Sequence, residues 1–255
     1  MMDCAKVSVH LCSNGRGLED TERRKEAYGN LVDNLHREKG GGSRGMPAVH
    51  SYVGVDCEGN DGQSGGGCLM VQVSTGNTAV VEAMTEGDWM SEECMDIMET
   101  TEITKVFCDA KGDVGAIDYY MSRDRGGARI KQGSVMDIQK MCPLGKRLGL
   151  AAVVGGACGF KVSKQSFKKN RWWMLKSARQ MVEASGFVKY AAADAWGTWA
   201  AYWMQDKMGG KWEGGGTGYE EWLSSLREDI HNKGGAGGSF EIYDNYRRGG
   251  AALTS

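Results

Sequence analysis

Between Val49 and Met84 three β-branched runs follow one another: HSYVGVDCEG, CLMVQVSTG and TAVVEAM. Runs of this kind, bounded by Gly-rich turns, read as strands, and strands met in direct succession suggest an antiparallel meander. The pattern then changes. In GDWMSEECMDIMETTEIT, Trp89, Cys94, Ile97 and Met98 recur near helical spacing with acidic residues between them. KVFCDA is a short apolar strand, DVGAIDYYMSR a helix opening at an Asp, and SVMDIQKMC a strand-like start. LGLAAVVGGACG, FKKNRWWMLKSARQMVEASG and the long VKYAAADAWGTWAAYWMQDKM read as helices. Three strands, then alternating helix and strand, then a helical finish define a mixed α/β sheet with helices on its faces.

The ends differ from this middle. The chain has 255 residues with 39 glycines against 2 prolines, and the glycines gather outside the periodic segments, as in flexible extensions. Residues 1–47 are expected as an N-terminal appendage and linker, with a helix in TERRKEAYGNLVDNLHREK where Leu31 and Leu35 stand at i,i+4 spacing, followed by GGGSRG. Residues 48–208 are expected as the domain proper. Residues 209–255 are expected as a Gly-rich C-terminal tail with one short helix in EEWLSSLREDI. A net charge of −2 excludes a generic polyanion binder, so any nucleic-acid affinity must come from a local patch. The eight cysteines contain no C-x-x-C pair, and several lie in apolar runs. They read as free thiols of a reducing compartment. No apolar run is long enough to span a membrane, and MMDCAKVSVHLC lacks the features of a secretory signal. An intracellular protein, nuclear or cytoplasmic, is the expectation.

Four acidic residues stand out by context. Asp56 and Glu58 share one face of an otherwise apolar strand, where like charges repel and lose hydration. Asp113 begins the helix after KVFCDA, and Asp194 lies in the Ala-rich late helix with Tyr190 one turn before it on the same face. Carboxylates converging from a strand and two helices suit hard divalent ions, and two such ions clamp the attacking and leaving oxygens of a phosphoryl displacement. Each residue also has a plainer reading. Asp113 serves equally well as a helix N-cap, Asp194 as a solvated face residue, Tyr190 as core, and Asp56-x-Glu58 as a strand end entering a turn.

Their order and surroundings resemble the DEDDy 3′–5′ exonucleases, closest to the exonuclease domain of the Werner-syndrome helicase family, with ribonuclease D as a relative. VGVDCEG resembles the first family motif, KVFCDAKGDVGAI the second and KYAAADAW the third, and CLMVQVST resembles the strand that follows the first. The resemblance spans about residues 49–207. It implies a ribonuclease H-like mixed five-stranded sheet flanked by helices, and a metal-dependent 3′–5′ exonuclease that releases nucleoside 5′-monophosphates. It further implies two divalent cations, Mg²⁺ or Mn²⁺, held by Asp56, Glu58, Asp113 and Asp194, with Tyr190 orienting the attacking water. Asp109 is the alternative to Asp113. SVMDIQ resembles the family's Asp-x-Gln segment, in which Asp137 is assigned no catalytic role.

The stretch from Lys161 to Gln180 is the most basic, interleaving Lys164, Lys168, Lys169 and Arg171 with Trp172 and other aromatics. Cations for phosphates and rings for bases are what single-strand binding needs; the competing reading is an amphipathic helix with its rings in the core. The expected partner is single-stranded or 3′-ended nucleic acid, with DNA slightly ahead of RNA because no ribonuclease D-type helical domain is visible after residue 207. The rival readings are a non-catalytic binding or scaffold protein on the same fold, and an RNA 3′-end-processing enzyme of the ribonuclease D type. Retention of all four carboxylates and the tyrosine favours the enzyme over the scaffold. His50 and His231 have no partner at metal spacing, and nothing in the sequence identifies a protein partner.

Overall fold

The computed structural model describes residues 4–13, 18–40, 51–58, 69–84, 89–141, 148–158, 187–207 and 239–244. In chain order these form β1 (Cys4–Ser13), α1 (Leu18–Gly40), β2 (Ser51–Glu58), β3 (Leu69–Ser74), β4 (Thr78–Met84), α2 (Glu92–Glu99), β5 (Ile103–Phe107) and α3 (Ala110–Asp124). β6 (Val135–Asp137), α4 (Leu150–Cys158), α5 (Phe187–Lys207) and β7 (Ser239–Asp244) follow. The sheet order is β6-β5-β2-β3-β4-β1-β7. The meander β2-β3-β4 is antiparallel, whereas β5 pairs with β2, and β6 with β5, in parallel. These five strands are the expected ribonuclease H-like sheet, and β1 and β7 extend it beyond β4 by two further parallel pairings.

Strand alternation sorts the core into two layers. Tyr52, Met70, Val81 and Val106 face α4 and α5 on one side. Val53, Val55, Val71, Val73 and Phe107 face α1, α2 and α3 on the other. Every residue of Ser51–Val55 is buried, as expected for a strand covered on both faces. That two-sided cover explains why the strands read as continuous apolar runs.

Residues 4–13 and 18–40, expected as part of an appendage, are packed into this domain. β1 runs parallel to β4 in the register Ser8↔Thr78 to Ser13↔Ala83, with Val7 and Val9 buried against the α4–α5 layer. α1 covers the opposite face, burying Ala27, Tyr28, Leu31 and Leu35. The partner of β1 lies some 70 residues away in sequence, so the local pattern carries little sign of the pairing. β7 likewise falls within the expected tail and pairs with β1 from Cys4↔Ser239 to Val9↔Asp244. The expected helix in EEWLSSLREDI and the one in FKKNRWWMLKSARQMVEASG lie outside the described residues.

A buried carboxylate joins α1 to the sheet. Glu82 on β4 is fully buried and accepts hydrogen bonds from the Tyr28 hydroxyl (2.8 Å), the Ser91 amide (2.7 Å) and the Ser91 hydroxyl. Ser91 also caps α2, accepting from the Cys94 amide at 3.1 Å. A buried carboxylate stripped of a donor keeps its desolvation cost, and a hydrogen bond to a charged group contributes about 1.5–3 kcal/mol. Tyr28→Phe is therefore expected to lower the unfolding free energy by about 2 kcal/mol in urea titration. No measurable change would mean that α1 does not seat on β4 in this way.

Candidate active site

β2 and its parallel neighbour β5 end on the same edge of the sheet, and the carboxyl ends of parallel strands are where open α/β sheets place their sites. Tyr52, Gly54, Asp56 and Glu58 alternate toward the α4–α5 face, so the first two positions meet helix α5 and the last two emerge at the edge. Gly54 sets the distance. A Cβ built there would collide with the Ala195 carbonyl oxygen and stand 2.5 Å from the Trp199 backbone nitrogen and 2.8 Å from its Cβ. Only a residue without a side chain lets the helix backbone lie this close to the strand. The Trp196 indole donates to the Gly76 carbonyl in the β3–β4 turn (3.0 Å), which fixes how α5 is rotated.

With α5 so placed, Asp194 arrives beside the strand pair. Asp56, Glu58 and Asp194 each bring a carboxylate oxygen within 4.8 Å of the other two. Asp194 is 2% exposed, while Asp56 and Glu58 are half-buried. Tyr190, one turn earlier on the same face of α5, hydrogen-bonds Asp194. Burial, followed by the Asp194 charge, holds its phenol well above the ordinary range, so it is protonated at neutral pH. Three carboxylates this close in a partly buried setting are mutually repulsive, and hard divalent cations are the charges that such an all-oxygen donor set accommodates. The donor set fits the expected metal.

Asp113 approaches from the other side. It lies in the first turn of α3, which packs on the opposite face of the sheet, and it stands outside the cluster of three. Its contact there is Cys57, whose position between Asp56 and Glu58 turns it to the α3 face: the thiol lies 3.4 Å from Asp113 Oδ1. Burial, then the Asp113 and Asp56 charges, push the thiol up, so Cys57 remains a protonated donor.

Burial also raises the Asp113 carboxyl from 3.8 to about 7, with the Cys57 hydrogen bond lowering it and the Asp109 and Asp137 carboxylates raising it. The sign of the consequence follows from proton linkage. Below about pH 4 the group is protonated in both states and costs nothing. Between there and pH 7 the unfolded chain ionises first, so stability falls as pH rises, by at most about 4 kcal/mol. In EDTA, Asp113→Asn is expected to match wild type near pH 4 in urea titration and to be increasingly more stable up to pH 7. A difference that does not change with pH would show that Asp113 ionises freely in the folded protein.

Of the sequence-predicted residues, the fold therefore brings together Asp56, Glu58, Asp194 and Tyr190 and sets Asp113 against Cys57. Asp109 is the exposed N-cap residue of α3 and does not join the cluster. Lys164, Lys168, Lys169, Arg171 and Trp172 lie outside the described residues. Asp137, given no role from the sequence, hydrogen-bonds the start of α3. Its sequence signals were its place at the close of a short strand and the resemblance of SVMDIQ to the family's Asp-x-Gln segment.

A ribonuclease H-like sheet whose central strand β2 ends on two carboxylates, joined by a third from helix α5, is an arrangement suited to hydrolysis of phosphodiester bonds. The 3′–5′ exonuclease family model matches residues 44–207, well over half of the chain, and the chain belongs to that family. The resemblance seen in the three motifs is thereby borne out, and the enzyme reading prevails over the scaffold. Among solved structures, a nuclease in its apo form aligns with TM-score 0.51 at 13% identity, over 88% of this chain and 94% of its own. Escherichia coli RNase D, an exoribonuclease involved in structured RNA processing, aligns with TM-score 0.50 at 15% identity, over 88% of this chain and 48% of its own. Brucella melitensis NrnC bound to pGG aligns with TM-score 0.49 at 16% identity, over 89% and 95%. At these identities the likeness is one of fold. No curated protein sequence matches the chain.

Proposed function

We propose that this exonuclease is metal-dependent and removes nucleoside 5′-monophosphates one at a time from the 3′ end of single-stranded nucleic acid. The observation that carries the proposal is the meeting of Asp56, Glu58 and Asp194 within 4.8 Å, with Tyr190 bonded to Asp194. Asp56, Glu58 and Asp194 would hold the divalent cations, Mg²⁺ or Mn²⁺, with Asp113 supporting the second from the α3 side. When bound, such ions lower the pKa of water and neutralise charge on the phosphoryl oxygens.

The protein's own groups supply the rest. Tyr190 keeps its proton, so its hydroxyl can orient a water while its tie to Asp194 fixes the ring. Burial of Asp194 excludes bulk solvent from one side of the cluster, which strengthens every charge interaction there. The basic stretch containing Lys164, Lys168, Lys169, Arg171 and Trp172 would grip the strand upstream of its 3′ end. DNA ranks slightly ahead of RNA as substrate.

Oligonucleotides of DNA and of RNA, labelled at either end, test this in Mg²⁺, Mn²⁺ or EDTA. A 3′ label should appear at once as a mononucleotide, a 5′ label should give a ladder, and EDTA should stop both. Internal cuts, release from the 5′ end, or full activity in EDTA would each overturn the proposal.

A further inference from the structure

Helix α3 does not cap itself. Asp109, at its N-cap, sits in left-handed backbone at φ 74°, the only non-glycine residue with positive φ among those described, and its side chain makes no capping hydrogen bond. The cap comes from 28 residues further on. The Asp137 carboxylate, closing β6, accepts from the Asp109 amide at 3.2 Å through Oδ1 and from the Ala110 amide at 3.4 Å through Oδ2. Oδ1 also accepts from the Gln139 amide at 3.0 Å, and the Gln139 side chain donates to the Leu148 carbonyl at 2.9 Å, just before α4. Both carboxylate oxygens thus accept from backbone amides, and Asp137 ties the start of α3 to the end of β6.

A left-handed conformation disfavours a residue with a side chain and persists where its surroundings hold it. A carboxylate on the first amides of a helix is such a hold, combining charge-assisted hydrogen bonds with the favourable end of the helix dipole. Asp113 is one turn further along the same helix. Its side chain meets the Cys57 thiol, between Asp56 and Glu58, from the opposite face to Asp194, so its place depends on where that first turn stands.

We propose that Asp137 is a positioning residue for the exonuclease: by capping α3 from a neighbouring strand, it holds Asp113 against Cys57, between Asp56 and Glu58. The inference rests on the reading of Asp113 as a metal-supporting residue. Without the cap, Asp109 relaxes out of the left-handed region and the first turn carries Asp113 away. Loss of a group that orients a metal ligand typically costs about 10–100-fold in metal affinity or activity.

Wild type, Asp137→Ala, Asp137→Asn, Asp113→Asn and the Asp113→Asn/Asp137→Ala double variant decide the matter. Three quantities are read: hydrogen exchange at residues 109–110, the Mn²⁺-induced rise in melting temperature, and the Mn²⁺ concentration for half-maximal hydrolysis. Asp137→Ala should speed exchange at 109–110, shrink the Mn²⁺-induced rise and raise the half-activating Mn²⁺ by about 10-fold or more, with KM for the oligonucleotide unchanged. Asp137→Asn, which keeps one acceptor oxygen, should fall between it and wild type. Adding Asp137→Ala to Asp113→Asn should change the Mn²⁺ response no further. Equal Mn²⁺ responses in wild type and Asp137→Ala, additive effects in the double variant, or loss of cooperative unfolding in both Asp137 variants would overturn the proposal. A wild type inert on every oligonucleotide would sink the metal-dependent exonuclease reading. The exchange and melting measurements would still report whether Asp137 places Asp113.

Discussion

Asp194→Asn should abolish hydrolysis, by about 10³-fold or more, while leaving the metal-free protein as stable as wild type or more so. The two halves of this expectation have one cause. Asp194 is 2% exposed and lies within 4.8 Å of two further carboxylates. At an effective dielectric of about 20, each such pair repels by roughly 3 kcal/mol. The near-isosteric amide removes that repulsion and a desolvated charge, so folding gains. The same change removes an anionic oxygen ligand, so the cluster loses much of its hold on a divalent cation and the several kcal/mol that such ions contribute to phosphoryl transfer. Hydrolysis of a 3′-labelled oligonucleotide and thermal melting in EDTA measure the two effects. An Asn variant that melts well below wild type, or that still cuts at a comparable rate, would show that the cluster is not an electrostatically strained metal site.

Gly54→Ala should instead lower stability and activity together. One methyl group at this position meets backbone atoms of α5, the Ala195 carbonyl and the Trp199 amide, and backbone cannot rotate aside as a side chain can. The helix must retreat from β2. Overpacking of this kind costs about 1–3 kcal/mol, and more where no adjustment relieves it. The retreat carries Asp194 and Tyr190 away from Asp56 and Glu58, and a misplacement of about 1 Å in a catalytic constellation reduces rate by about 10²-fold. Excess Mn²⁺ should not restore activity, because the ligands are displaced rather than weakened. Trimming a neighbour with Trp199→Ala should not rescue it either, since the obstructing atoms are backbone and a Cβ that alanine retains. Full activity in Gly54→Ala would mean that α5 stands further from β2 than described.

The legible and illegible parts of the site differ in how far apart their determinants lie. Asp56 and Glu58 share a face because strand side chains alternate, and Tyr190 and Asp194 share one because a helix returns every 3.6 residues. Both relations are local and could be read directly. So could Cys57 facing the other way. That α3 would deliver Asp113 to that thiol could not be read, because it depends on how α3 packs on the sheet. Asp137 reaches the start of α3 across 28 residues of sequence, and nothing in VMDIQ marks it as the cap of another element. Gly54 read as one more residue of an apolar strand; its meaning is the proximity of a helix some 140 residues later. The joining of β1 and α1 to the core was hidden for the same reason, since Tyr28 and Glu82 form their hydrogen bond across 54 residues.

By itself, the amino-acid sequence determined the order of elements from β2 to β6 and the helices α4 and α5, the pairing of Asp56 with Glu58 and of Tyr190 with Asp194, and through those motifs the exonuclease family. Periodicity and short-range spacing set these, and both are properties of a few adjacent residues. Only the tertiary structure decided that the two pairs meet while Asp113 stands across the sheet beside Cys57. It also decided that the sheet gains two strands from the ends of the chain. Those outcomes depend on which faces bury against each other and how closely, as at Gly54, and burial couples residues without regard to their distance in sequence.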